Sequence, residues 1–158
     1  MPSSHAKNRV ARINSAQELA TATAAAMFER DSATQSLGIR IIDVGPGCAR
    51  LAMTVRPDML NGHNTCHGGF IFALADSAFA FACNSHNQRT VAFGCSIDYV
   101  APAQLHDVLS ATAVEQSLAG RTGVYDVAVS NQDGRCIALF RGRSYRIKGE
   151  VIEASSNP

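Results

Sequence analysis

Residues 61–85 read NGHNTCHGGFIFALADSAFAFACNS, and this stretch decides the fold. A polar turn runs into the pair Gly68-Gly69, and a helix-length run follows that is apolar almost all round. Between Phe70 and Cys83 only Asp76 and Ser77 are polar. A helix without a solvent-facing stripe is a buried helix. A carboxylate buried with it is costly unless it is paired, hydrogen-bonded or protonated. Asp76 is therefore the first candidate for chemistry.

The flanking sequence supplies the elements that would bury this helix. Upstream, residues 16–35 are rich in Ala and carry Leu19, Met27 and Phe28 on spaced positions, which predicts a helix closed by Leu37-Gly38. GIRIIDV (38–44) and CARLAMTV (48–55), split by Gly45-Pro46-Gly47, predict a hairpin. Residues 57–64 form a turn-rich connection to the buried helix, which runs from 68 to about 85. Downstream, strands are expected at 90–99, 108–117, 122–129 and 135–147, with turns at 118–120 and 131–134. One long helix wrapped by an antiparallel sheet satisfies this order with a single core, an α+β domain over residues 16–148. The basic segment 1–15 and the polar segment 149–158 are expected to be flexible tails. A helix apolar on every face has more surface than one small sheet can cover from one side, so its free flank is expected to meet a second subunit.

Composition narrows the function. The 158 residues are 46% hydrophobic and 17% charged, a globular profile. A net charge of +1, with no Trp, gives no case for nucleic acid. No apolar run reaches the length of a membrane span, and no secretory signal is visible. The acid-free start weakly resembles a transit peptide, but a flexible tail is the preferred reading. Five cysteines, several in apolar runs (Cys83, Cys95, Cys136), are read as reduced, buried and not nucleophilic. The expected compartment is the cytoplasm.

Gly68-Gly69 lies where turn becomes helix. Glycine lets a ligand approach the backbone closely. The first helical N–H groups have no internal partner and sit at the positive end of the macrodipole. A carbonyl oxygen placed there is polarised, and an oxyanion is stabilised as it forms. Asp76 lies two turns further on, about 12 Å by helix rise, too far from its own Gly68 amide to flank one reacting carbon. Two antiparallel copies of the helix related by a dimer axis would bring each Asp76 to the partner's Gly68.

Those residues belong to a wider pattern. LNGHNTCHGG, LAD and ACNS, followed by SIDYVAPA, TGVYDV and ALFRGRSYRI, resemble the PaaI thioesterase branch of the hotdog-fold superfamily over about residues 27–148. The resemblance implies a hotdog fold, dimers paired into a homotetramer, and hydrolysis of acyl-CoA thioesters at dimer-interface sites without a cofactor. It implies phenylacetyl-CoA and its ring-hydroxylated relatives as substrates. It also implies Asp76 as base or nucleophile, the Gly68 amide as oxyanion donor, His67 as the residue holding the loop, and Asn61 as a positioner of substrate or water. One departure stands out. Related branches place Thr one turn after the carboxylate, or Ser early in the next strand, where this chain has Ala80 and Ala92. Ser77 or Ser96 would have to supply that hydroxyl, and the choice between base and nucleophile stays open.

Blander readings exist for each residue. Asp76 would serve structure alone if loop amides satisfied it. His63, Cys66 and His67 have spacing that suggests a metal, but the flanking Asn61-Gly62 and Gly68-Gly69 predict a loop that scatters them, and no metal is expected. His5, His86 and His106 are expected at the surface. In the last strand Arg141, Arg143 and Tyr145 share a face, and Arg146 and Lys148 the other. The strand is either merely solvated or grips CoA phosphates through Arg141 or Arg143. Gly69 and Ser77 are expected beside the substrate. Phe70, Phe72, Phe79 and Phe81 are expected mainly in the core, with some free to line an aromatic acyl pocket. A hotdog hydratase or dehydratase using Asp with His63 or His67, and a non-catalytic acyl-CoA-binding module, remain the rival functions.

Overall fold

The apolar run folds as a helix, and every strand of the molecule packs against it. In the computed structural model, which describes residues 13–153, the helices are α1 (Ala16–Arg30), α2 (Ser32–Ser36) and α3 (Gly68–Cys83). The strands are β1 (Arg40–Gly45), β2 (Cys48–Thr54), β3 (Gln88–Tyr99), β4 (Val108–Ala119), β5 (Thr122–Ser130) and β6 (Cys136–Glu150). All pairings are antiparallel, in the order β1-β2-β4-β5-β6-β3. β3 follows α3 in the chain yet crosses to the far edge, so the sheet curls round the helix as a hotdog fold does.

Side chains set how closely helix and sheet approach. Leu74, Ala75, Ala78, Phe79 and Ala82 of α3 are buried against Leu51, Leu109, Val127 and Phe140. The Phe79 ring tilts between Tyr125 and Phe140, with centroids 5.6 and 5.9 Å away. It lies flat on Gly142, where a Cβ would stand 2.7 Å from the ring. Any larger residue at 142 would lift the helix off β6.

Several expectations need correction. The helix expected over 16–35 breaks at Asp31, whose backbone leaves the helical region (φ −99°, ψ 79°). Its carboxylate caps α2, accepting from the Thr34 N–H at 3.0 Å and the Thr34 hydroxyl at 2.6 Å. The turn expected at 118–120 is shorter, since β4 runs through Ala119 and Gly120 takes the left-handed conformation (φ +59°). The burial expected of the cysteines holds for Cys66 and Cys83, but Cys48 and Cys136 are exposed and Cys95 is half-buried. A register irregularity at Val129/Ser130 shifts the start of β6, leaving Cys136 outward while Ile137 and Ala138 are both buried. All five thiols are free.

The segment expected as a tail from 149 is partly built in. β6 continues to Glu150, and the Asn87 side chain clasps Ile152 with bonds of 3.0 and 2.9 Å to its carbonyl and amide. Ser15, in the expected N-terminal tail, caps α1. Residues 1–12, including His5, and 154–158 lie outside the described residues.

His86, expected at the surface, is half-buried and bonded. Its Nε2 lies 2.9 Å from Glu115 Oε2, and Tyr125 donates to the same oxygen at 2.6 Å. Burial pushes the Glu115 carboxyl up, but these two bonds together outweigh burial and hold it below the ordinary range. Together with the bond from the Gly47 amide to the Ser85 hydroxyl (2.8 Å), they tie the end of α3 to the sheet. A carboxyl depressed in the folded state contributes stability above its unfolded pKa, about 4.3, and loses it as pH falls through the folded value. Glu115→Ala leaves the buried Tyr125 hydroxyl without its acceptor. Denaturant unfolding should show a loss of about 1–3 kcal/mol at neutral pH, and a shallower decline than the parent protein on acidification.

Candidate active site

The start of α3 is held by its own first residues and by a distant strand. His67 is the N-cap, and its Nδ1 accepts the Gly69 N–H at 2.9 Å. This bond requires an unprotonated Nδ1, so the neutral ring carries its hydrogen on Nε2. The Phe70 N–H goes to the His67 carbonyl at 3.0 Å. Of the amides at 68, 69 and 70, the one at Gly68 is left without an acceptor among the described residues. Among these three amides, Gly68 therefore offers the free donor, at the positive end of the macrodipole.

The loop ahead of it is pinned on both sides. The His67 amide donates to the Met59 carbonyl at 2.8 Å and the Cys66 amide to the Ala103 carbonyl at 2.9 Å. Asn61 turns its carboxamide onto its own loop. Its Oδ1 accepts from the amides of His63 (2.9 Å) and Thr65 (3.2 Å), and its Nδ2 donates to the Thr65 hydroxyl at 3.1 Å. Asn61 shapes the turn that leads into His67 and Gly68. The residues weighed as metal ligands diverge: His63 and His67 are exposed while Cys66 is buried. Burial, and then the Asp107 charge, push the Cys66 thiol up to about 11.

Asp76 lies on a stripe of α3 formed by Phe72, Ala73, Asp76, Ser77 and Ala80, all partly exposed. The helix is therefore not buried on every side, and the carboxylate is half-buried, a correction to the fully buried site expected. No hydrogen bond or ion pair reaches it among the described residues. Burial pushes its pKa up. Nearby thiols respond: burial first, and also the Asp76 charge, raise Cys83 to about 12 and push Cys95 upward. A loop-satisfied structural carboxylate would show the opposite pattern.

The hydroxyls considered as substitutes are engaged or misplaced. Ser77 Oγ lies 3.3 Å from Thr34 Oγ1, drawn towards α2. Ser96 pairs across from Arg141 on the outer face of the sheet, whereas its neighbour Cys95 packs inward against the core. That outer face holds a hollow of about 450 Å³ between Ser96, Thr112, Asp126 and Arg141, on the side of the sheet away from Asp76.

The arginines differ. Arg141 is locked in a two-pronged pair with Asp126, with bonds of 2.6 and 2.8 Å. Arg143 spreads over Gly94 of the neighbouring strand, where a Cβ would lie 3.2 Å from its Nε, and has no ion-pair partner among the described residues. Phe79 and Phe81 are core residues, while Phe70 and Phe72 are half-buried at the site end of the helix.

One residue at the site was not singled out from the sequence. Tyr99, at the end of β3, donates its hydroxyl to the Gly68 carbonyl at 2.9 Å across 31 positions of chain. Its ring fills the space beside the bare Gly68 α-carbon, where a Cβ would lie 2.9 Å from Cζ.

A model of the thioesterase superfamily matches residues 63–138. Acyl-coenzyme A thioesterase PaaI of Escherichia coli (strain K12) is 48% identical over 126 residues, covering 80% of this chain and 90% of that protein. A putative esterase of Archaeoglobus fulgidus is 40% identical over 129 residues, 82% of this chain and 84% of the other. The solved structure of the E. coli PaaI protein from the phenylacetic acid degradation operon superimposes with a TM-score of 0.85 at 47% identity, covering 86% of this chain and 99% of that one. No helix among the described residues is long and apolar enough to cross a membrane.

His67→Ala removes the cap and leaves the Gly69 N–H without an acceptor. Thermal unfolding should report a loss of about 1 kcal/mol, with His67→Asn, which keeps an acceptor, recovering most of it.

Proposed function

Because the chain belongs to the thioesterase superfamily as an acyl-CoA thioester hydrolase, we propose that it converts phenylacetyl-CoA and ring-hydroxylated phenylacetyl-CoA to the free acid and CoA. The observation that carries the site assignment is a half-buried carboxylate, Asp76, with no partner and a raised affinity for protons. The E. coli relative's place in a phenylacetic acid degradation operon supports the aryl substrate. So does Phe72, one helical turn before Asp76 on the same stripe.

In this reading Asp76 is the general base. It takes a proton from water as the water oxygen bonds to the thioester carbon. The Gly68 N–H meets the carbonyl oxygen as negative charge builds on it. The intermediate collapses, the C–S bond breaks, and the CoA sulfur leaves with the proton returned by Asp76. Asn61 and His67 hold the loop that aims Gly68, while Gly69 and Ser77 line the path of the acyl group. Arg143, which has no ion-pair partner among the described residues, is the better candidate for a CoA phosphate, and Arg141 would first have to leave Asp126.

The second subunit enters at β3. α1 lies against β1 at one end of the sheet, where Gln17 donates to the Val44 carbonyl at 2.7 Å. β3 at the other end runs for 12 residues and exposes Val91 by 45% and Phe93 by 60%. Natural sheets seldom leave such an edge unpaired. Antiparallel pairing of two β3 strands about a two-fold axis would oppose the helices, so that each Asp76 works with the partner's Gly68. Two dimers would then form the tetramer. The free thiols support the cytoplasm as the compartment.

Thiol release from phenylacetyl-CoA should vanish in Asp76→Asn while the melting temperature holds or rises. A carboxyl whose pKa is raised on folding opposes folding when ionised at neutral pH, so its removal relieves that cost. The acid limb of kcat/KM in the parent protein should lie above the ordinary carboxylate range, near 4. Retained turnover in the variant would overturn the assignment. Phe93→Asp should give monomers in sedimentation and lose activity with them; an active monomer would refute the shared site.

A further inference from the structure

We propose that Tyr99 is a positioning residue for the carbonyl-binding amide of Gly68, an inference that rests on the role given to that amide above. The peptide group joining Gly68 to Gly69 is held at both ends. Tyr99 donates to its carbonyl at 2.9 Å, and His67 Nδ1 accepts from its N–H at 2.9 Å. Two successive glycines have the widest backbone freedom of any pair, so a helix start built from them does not orient itself. His67 is the adjoining residue and moves with the loop. Tyr99 stands on a separate frame, since β3 is laddered to β6 and Tyr99 itself is paired with Ala138.

The effect is orientation rather than polarisation. The free Gly68 N–H belongs to the preceding peptide group, so a hydrogen bond to the Gly68 carbonyl does not enrich its charge. It restricts rotation about Gly68, and with it the direction of that N–H. The ring adds a second restraint, packed against the α-carbon with Cζ 2.9 Å and Cε1 3.1 Å from where a Cβ would be. Tyr99 also sits on the edge strand, so the direction of the donor is set by the element at which the second protomer is expected to join.

Tyr99→Phe keeps the ring and removes the bond. Its kcat for phenylacetyl-CoA should fall about three- to tenfold, the worth of one net hydrogen bond, with KM unchanged because the loss is felt in the transition state. A direct readout is the infrared band of carbonyl-labelled phenylacetyl-CoA bound to the non-hydrolysing Asp76→Asn protein. That band should move to lower frequency on binding, and the movement should shrink in Asp76→Asn/Tyr99→Phe. Tyr99→Leu, which removes the ring as well, should fall further in kcat than Tyr99→Phe. A full band movement in the double variant overturns the positioning role, whether or not kcat falls, and leaves the Gly68 amide as donor. No band movement with Tyr99 present overturns the Gly68 reading and this inference with it.

Discussion

Phe79 rests on the bare α-carbon of Gly142, and the depth of that contact governs the rest of the molecule. It lets α3 settle into the curl of the sheet until Leu74, Ala75 and Ala78 lose all contact with water. With the helix that deep, the sheet can close on it from β1 to β3, and only a narrow flank stays open. The flank carries one charge. Asp76 is poorly solvated because the helix is sunk, and among the described residues no polar side chain pairs with it. Its raised proton affinity is thus a consequence of packing set three residues away.

The helix start obeys a different constraint. Glycines there admit a ligand to the backbone but leave the backbone slack. The structure takes up the slack with side chains from three places: Asn61 within the turn, His67 at the cap and Tyr99 from the far edge strand. Each consumes a hydrogen-bonding group that would otherwise compete for a ligand. Of the amides at 68, 69 and 70, only that of Gly68 is left without an acceptor among the described residues.

Much of this was legible in the chain, and the exceptions have physical causes. A lone acid in an apolar run and a glycine pair at a turn are local signals, and both lie where the run and the turn imply. Alternation and the Asp133-Gly134 turn were enough for the strands after α3. The crossing of β3 to the far edge was not, because strand order depends on pairing between segments with no shared local pattern. The break at Asp31 had its signal, a capping acid three residues before Thr34, but it lay inside an Ala-rich stretch whose helical propensity hides a change of axis. The exposure of Cys136 followed from a one-residue register irregularity, which inverts the inside and outside of a strand. Tyr99 lay within the SIDYVAPA motif, but nothing in the sequence marked its bond to Gly68. Its partner is remote in sequence, and tyrosine at a strand end is common. Likewise the engagement of Arg141 with Asp126 depends on cross-strand register, which composition does not carry.

If the proposed dimer forms at β3, the bare rim of that strand bears on the life of the chain before it pairs. Among the described residues β3 is an edge strand, so a newly synthesised chain that has closed its sheet still presents a row of backbone amides and carbonyls without a neighbouring strand, flanked by the exposed Phe93. Any extended polypeptide nearby can lie down on that row, and nascent or misfolded proteins are the commonest source of such segments. In that dimer, maturation would be a race between like and unlike strands, in which expression level sets the odds.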